Sequence, residues 1–193
     1  MARPRRDANA VPTVQRILLS AEQAFASQGY ERARLADIAR VAGITRPSLL
    51  YHFKTKDALY AAVVSANITA LTEAFAAARA SEGAYDAQLL RLIGAYVDFL
   101  EARPVFSALL LRELLNKQGV MRETFRDLLV PILDGVEQWV IDSGRTPPGV
   151  PVRATLLHLA MGPLVRTAVS DLREPFWRDE SGTLELTRRL LLA

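Results

Sequence analysis

The sequence predicts an all-α fold, with a three-helix N-terminal head followed by a larger helical body. Three observations carry this expectation. Apolar residues recur at three- and four-residue spacing along most of the 193 residues, and alternating strand patterns are nearly absent. Breaks in that periodicity coincide with glycine and proline, at Gly29, Gly43, Ser81–Gly83, Arg103–Pro104, Gln118–Gly119, Ser143–Gly144 and Arg145–Pro151. Half of the residues are hydrophobic and no low-complexity tract interrupts them, so the chain has the means to bury a core.

The first helix is expected from Pro12 to Gln28, with Val14, Ile17, Leu18, Ala21, Ala24 and Phe25 on its apolar side. Gly29 ends it, and Tyr30 is expected to pack back on the helix pair that follows. That pair occupies residues 34–56, RLADIARVAGITRPSLLYHFKTK. Leu35, Ile38, Ala39 and Ala42 give its first helix one apolar face, and small Ala39 allows a close helix crossing. Gly43 suits the left-handed conformation that ends a helix, and Ile44 is an apolar plug. Thr45 is the N-cap of the second helix, and Pro47 lies in its first turn, where a missing amide hydrogen costs least. Leu49, Leu50 and Phe53 turn inward, which leaves Arg46, Ser48, Tyr51 and His52 to face outward.

The fourth helix starts near Thr55, a second cap, and runs to about Arg79. Body helices follow at Tyr85–Ala102, Pro104–Lys117 and Met121–Asp142, the last kinked or split by Pro131. Beyond the linker RTPPGVP, two helices are expected at Val152–Asp171 and Leu184–Leu192, with a kink at Gly162–Pro163 and LREPFWRDESG between them.

Charge is uneven along the chain. Through Tyr60 there are ten Lys/Arg against five Asp/Glu; the rest carries fourteen against sixteen, which together make the net +3. A basic head on a slightly acidic body is the footprint expected where one end meets phosphate. Residues 1–11, with Arg3, Arg5 and Arg6, read as a flexible basic arm near DNA or as a solvated tail. No cysteine is present, which excludes disulfides and thiolate metal sites and suits a reducing cytoplasm. The start lacks the apolar stretch of a secretory signal, and the uncharged run Ala58–Thr72 reads as too short and polar to span a membrane.

A second helix held across a first is a standard device for placing side chains in the DNA major groove. Arg46 suits guanine or phosphate, Thr45 and Ser48 bond either partner, and Pro47 meets a thymine methyl. Tyr51 and His52 bond phosphate or base. Lys56 lies at the positive end of a helix macrodipole, unfavourable by about 0.3–1 kcal/mol when exposed. A nearby phosphate reverses that sign; a solvated lysine tolerating a small penalty is the plainer alternative.

From about Val14 to Val64 the chain resembles the TetR-type one-component transcriptional repressors. The resemblance rests on AFASQGY, LADIARVAGIT, RPSLLYHF and KTKDAL at linked spacing. It implies a helix-turn-helix DNA-binding domain at 12–54 and a helical effector-binding and dimerisation domain at 55–193. Thr45, Arg46, Pro47, Ser48, Tyr51 and His52 then occupy DNA-facing slots, Leu49 and Phe53 core slots, and Lys56 a position against the DNA backbone. Leu50 stands where the family often has a phosphate-binding tyrosine, so that hydrogen bond is absent or passes to Tyr51. Ala33 and Arg34 replace the usual threonine before the first helix of the pair, and Arg34 offers a charged phosphate contact instead. The implied partners are a two-fold symmetric double-stranded DNA operator, a small-molecule effector and a second copy of the chain, in the cytoplasm and without a membrane.

Catalysis has little support. No metal-binding histidine pair, phosphate-cradling glycine loop or nucleophile elbow is present, and neither a cofactor nor a metal is implied. In the body Phe75, Phe106, Leu110, Phe125 and Trp139 are apolar candidates for lining an effector site, with Arg112, Glu113 and Asn116 as polar groups at helical spacing. Alternatively these residues only pack the core, with Arg112 and Glu113 in solvent. His158 reads as a hydrogen-bonded core or interface residue, or as an effector contact. Leu157, Met161 and Val165, with Leu186 and Leu190, supply more apolar surface than a chain end should expose and are expected at a dimer interface. The rival expectation is a helical carrier or enzyme for an apolar ligand, with the head as scaffold.

Overall fold

The computed structural model describes residues 11–80, 82–116, 119, 122–169, 177 and 182–192. The basic arm up to residue 10, most of LREPFWRDESG and Met121 lie outside them. Among the described residues every regular element is a helix. The chain divides into two compact units, Met1–Val63 and Val64–Ala193, with the boundary inside the fourth helix.

The first unit holds α1 (Thr13–Arg32), α2 (Leu35–Val41), α3 (Arg46–His52) and the opening of α4 (Lys56–Ala80). Its core is Ile17, Ala21 and Phe25 of α1, Ile38 and Ala39 of α2, Leu49 of α3, and Leu59, Tyr60 and Val63 of α4. Of the expected apolar side of α1, Val14 is exposed, because the i, i+4, i+8 stripe Ile17–Ala21–Phe25 takes the core. Gly29 breaks α1 with φ +80°, ψ 164°, and the chain resumes one further turn. Tyr30 packs differently from the expectation: it stacks near Phe25 (6.1 Å) and meets Tyr60 edge-on (5.3 Å), joining α1 to α4 rather than to the α2–α3 pair. The reversal at Gly29 aims the ring back along α1.

The second unit contains the rest of α4 with α5 (Tyr85–Glu101), α6 (Pro104–Leu115), α7 (Arg122–Asp142), α8 (Val152–Ala168) and α9 (Gly182–Leu191). Helix α8 is the hub, packed against α5, α6, α7 and α9. Leu89, Ile93, Val140, Leu156, Leu159 and Leu191 form one buried cluster around it. Polar ties fix the neighbours. Arg166, buried, donates to Glu101 at 2.5 Å, and Arg153 reaches Asp134 (2.7 Å) and Glu137 (2.5 Å).

Helices α7 and α8 run unbroken through Pro131 and Pro163, so Pro131 does not split α7. Each proline forfeits one backbone hydrogen bond, but apolar residues on both sides are anchored in the body: Phe125 before Pro131 with Leu133 and Val136 beyond it, and Leu159 and Leu164 around Pro163. Helix α8 ends at Ala168, short of Asp171. Helix α4 corrects another expectation. At 25 residues, with a window of mean hydropathy 1.4, it is long and apolar enough to cross a membrane. Its buried apolar residues, Leu59, Tyr60, Val63, Val64, Ile68 and Leu71, are committed to the protein cores.

Candidate nucleic-acid interface and ligand cavity

The α2–α3 connection is built from local hydrogen bonds. Gly43, at φ +68°, donates its amide to the Arg40 carbonyl (3.1 Å), and the Ile44 amide donates to the Ala39 carbonyl (2.9 Å). This pairing satisfies the carbonyls left open at a helix end. Beyond it the Ser48 amide donates to Thr45 Oγ1 (3.3 Å), capping α3, and Pro47 occupies the first turn. Leu49 is fully buried and anchors α3, so the opposite face is presented outward.

On that face Thr45, Arg46, Pro47, Tyr51 and His52 are exposed, Tyr51 by 75%, while Ser48 is half-buried. Arg34, just before α2, is exposed too. Neither the Arg34 nor the Arg46 side chain has an ion-pair or hydrogen-bond partner among the described residues. Lys54, not singled out from the sequence, lies over the Tyr51 ring at 5.5 Å and adds a cation beside α3. Its signal was the KTK run itself.

Lys56 has more company than its sequence position suggested. It is half-buried, donates to the Glu31 carbonyl (3.0 Å), and sits 4.4 Å from the Tyr30 ring centre. The Tyr30 hydroxyl donates to Asp57, while Thr55 Oγ1 accepts from the Ala58 amide (3.0 Å) and caps α4. The dipole penalty is therefore offset within the protein, and a phosphate is not needed to explain this lysine.

The second unit encloses a cavity of about 640 Å³. Of the residues expected there, Phe75, Phe106, Leu110 and Phe125 line it; Arg112, Asn116, Trp139 and His158 do not. Helical geometry explains the difference on α6. Phe106, Leu110 and Glu113 stand at i, i+4 and i+7 and share one face, whereas Arg112 is rotated away and exposed; Asn116, also exposed, lies past the last residue of the helix. Glu113 is instead 3% exposed and faces the cavity. Trp139 packs on Tyr85 (5.0 Å) with Arg79 over its ring (5.4 Å). His158 is exposed rather than in the core, and Nδ1 donates to the Ala154 carbonyl (2.7 Å). Tyr96, overlooked in the sequence, also lines the cavity; its hydroxyl donates to the Ala160 carbonyl (3.1 Å), and burial pushes its pKa far above the usual tyrosine value.

An apolar strip lies on α8 and α9, which pack together. Leu157 (44%), Met161 (38%), Leu186 (52%) and Leu190 (42%) are exposed on it, and Val165 is half-buried. Leu157 and Met161 also border the cavity.

A capped, glycine-turned pair of short helices with a polar outer face, followed by a helical body around an apolar cavity, defines a helix-turn-helix protein with a ligand-sized chamber. Residues 17–63 match the model of the bacterial regulatory proteins, tetR family. Over those residues the chain is similar to the TetR family. It is 30% identical over 99 residues to the HTH-type transcriptional activator FasR of Mycolicibacterium smegmatis, covering 50% of this chain and 45% of that protein. It is 37% identical over 60 residues to the HTH-type transcriptional repressor BepR of Brucella suis, covering 31% and 29%. These matches thus span less than half of either relative. In fold it resembles the transcriptional regulator FadR of Bacillus subtilis, solved in complex with stearoyl-CoA, with a TM-score of 0.71 at 18% identity over 89% of this chain and 96% of that one.

Proposed function

We propose that this protein is a homodimeric DNA-binding transcriptional regulator of the cytoplasm. It represses by occupying a two-fold symmetric operator and leaves it when a small apolar or amphipathic effector fills the body cavity. The observation that carries the reading is the outer face of α3, where Arg46, Pro47, Tyr51 and His52 are exposed on a helix anchored by buried Leu49. Arg34, Lys54 and Lys56 add positive charge around it, suited to the phosphate backbone, while α3 reads base edges. Two such helices must stand about 34 Å or a multiple apart to meet successive half-sites, so a dimer is required. The exposed strip Leu157–Met161 with Leu186–Leu190 supports the pairing, because joining it to its two-fold copy buries both stripes in a four-helix interface.

Release by an effector demands that it prefer the conformation unable to bind DNA; equal affinity for both states shifts nothing. No catalytic step is part of this reading. Selection of bound sequences from random DNA, followed by a salt series on the winner, tests it. The expected result is a palindromic site whose affinity falls steeply with salt as counterions are released. Binding that is absent, or indifferent to sequence, would leave a carrier of apolar ligands as the better description of the cavity.

A further inference from the structure

We propose that the body cavity selects a lipophilic cation, with the Glu113 carboxylate as its counter-charge. The inference rests on the effector reading above and names the chemistry of that effector. Glu113 continues the stripe begun by Phe106 and Leu110, so α6 aims an acidic group into a chamber lined mainly by apolar side chains. It is 3% exposed, and no hydrogen bond or ion pair to a described residue holds its carboxylate. A buried charge without a partner is costly, and a partner brought by the ligand removes that cost.

The surroundings leave the role of partner to a ligand. Among the described residues Arg166 is the buried cation of this unit, but it is spent on Glu101 at 2.5 Å and does not line the chamber. Tyr96 has committed its hydroxyl to the Ala160 carbonyl, so it offers the ligand a ring rather than a proton. Two further cations border the chamber, Arg122 and Arg126, and both are exposed; Arg126 pairs with Asp127 at 3.0 Å, and Glu123 stands beside Arg122. Solvent screens these charges, whereas Glu113 acts where screening is weak. An anion seated in the chamber meets Glu113 with repulsion, and a cation meets attraction. The rings of Phe75, Tyr96, Phe106 and Phe125 supply faces whose negative potential also favours a cation. A volume of about 640 Å³ suits a drug-sized molecule. Gly119 leaves the carboxylate its room, since a Cβ there would stand 2.9 Å from Glu113 Oε2.

The test uses the full-length protein and two ions of matched size, tetraphenylphosphonium and tetraphenylborate, with neutral N-phenyl-1-naphthylamine as a third probe, all by titration. The phosphonium is expected to bind about tenfold or more tightly than the borate, the scale of one charge-assisted interaction. Glu113→Gln, which keeps the shape of the side chain, should abolish that preference and leave naphthylamine binding unchanged. Equal affinities, a preference for the borate, or a preference that survives Glu113→Gln overturns the proposal. Naphthylamine binding with neither ion bound also overturns it while the cavity remains an effector site. Failure of all three probes to bind would count against the effector reading as well.

Discussion

Replacing Gly43 by valine strikes the turn on which the orientation of α3 depends. Gly43 sits at φ +68° and its amide, with that of Ile44, closes the end of α2. An L-residue held in that conformation costs about 1–2 kcal/mol, and a β-branched one raises the strain toward about 3 kcal/mol. Space is not the obstacle, because an added Cβ would lie 3.3 Å from Arg16 Nη1, the end of a flexible side chain. Backbone strain therefore sets the magnitude. The free head relieves it by letting the turn reopen, whereas a DNA-bound head must keep α3 in register. The loss of operator affinity is bounded by that strain, at about 30- to 150-fold per half-site for 2–3 kcal/mol. Gly43→Asn tolerates the left-handed region and should lie nearest the wild type, with Gly43→Ala between it and valine. Fluorescence anisotropy on the selected operator, alongside thermal unfolding of each variant, reads the series. A valine variant with wild-type affinity would refute the reasoning and show that α3 is not positioned by this turn.

Three further outcomes are expected. Arg46→Ala and Ser48→Ala should change base preference, by about 1–3 kcal/mol for each good base interaction removed, whereas Lys56→Ala should weaken all sequences alike and flatten the salt slope; binding-site selection repeated on each variant checks this. Leu157→Glu with Leu190→Glu should give a monomer by analytical ultracentrifugation that binds the operator poorly; a wild type already monomeric at micromolar concentration would sink the dimer reading. Glu101→Gln takes the carboxylate from buried Arg166 and should lower stability by about 3 kcal/mol, read from the shift in urea midpoint, since it is the buried guanidinium that loses its counter-charge.

How much was legible in the sequence depended on how local each feature is. The α2–α3 unit was readable residue by residue because glycine, cap, proline and apolar spacing act within some ten residues: Gly43 is left-handed, Thr45 caps, and Leu49 is buried. Tyr30 was misplaced because its partner, Tyr60, is thirty positions away. The cavity was half legible. Phe75, Phe106, Leu110 and Phe125 are large and apolar enough to be inside under any packing, but of the three polar candidates Arg112, Glu113 and Asn116 only Glu113 lines the cavity.

By itself, then, the sequence determined the helices, the turn between α2 and α3, and the likeness of the head to a family, because periodicity, caps and backbone preference are properties of neighbouring residues. Tertiary structure alone decided which sides of those helices matter. A helix as apolar as α8 shows no polar face from which burial can be read, so only its packing with α5, α6, α7 and α9 left His158 and Leu157 outside and Leu156 and Leu159 within. On α6 the same cause put Glu113 into the chamber and Arg112 out of it, since a rotation of one residue is about 100° and only the neighbouring helices set its zero.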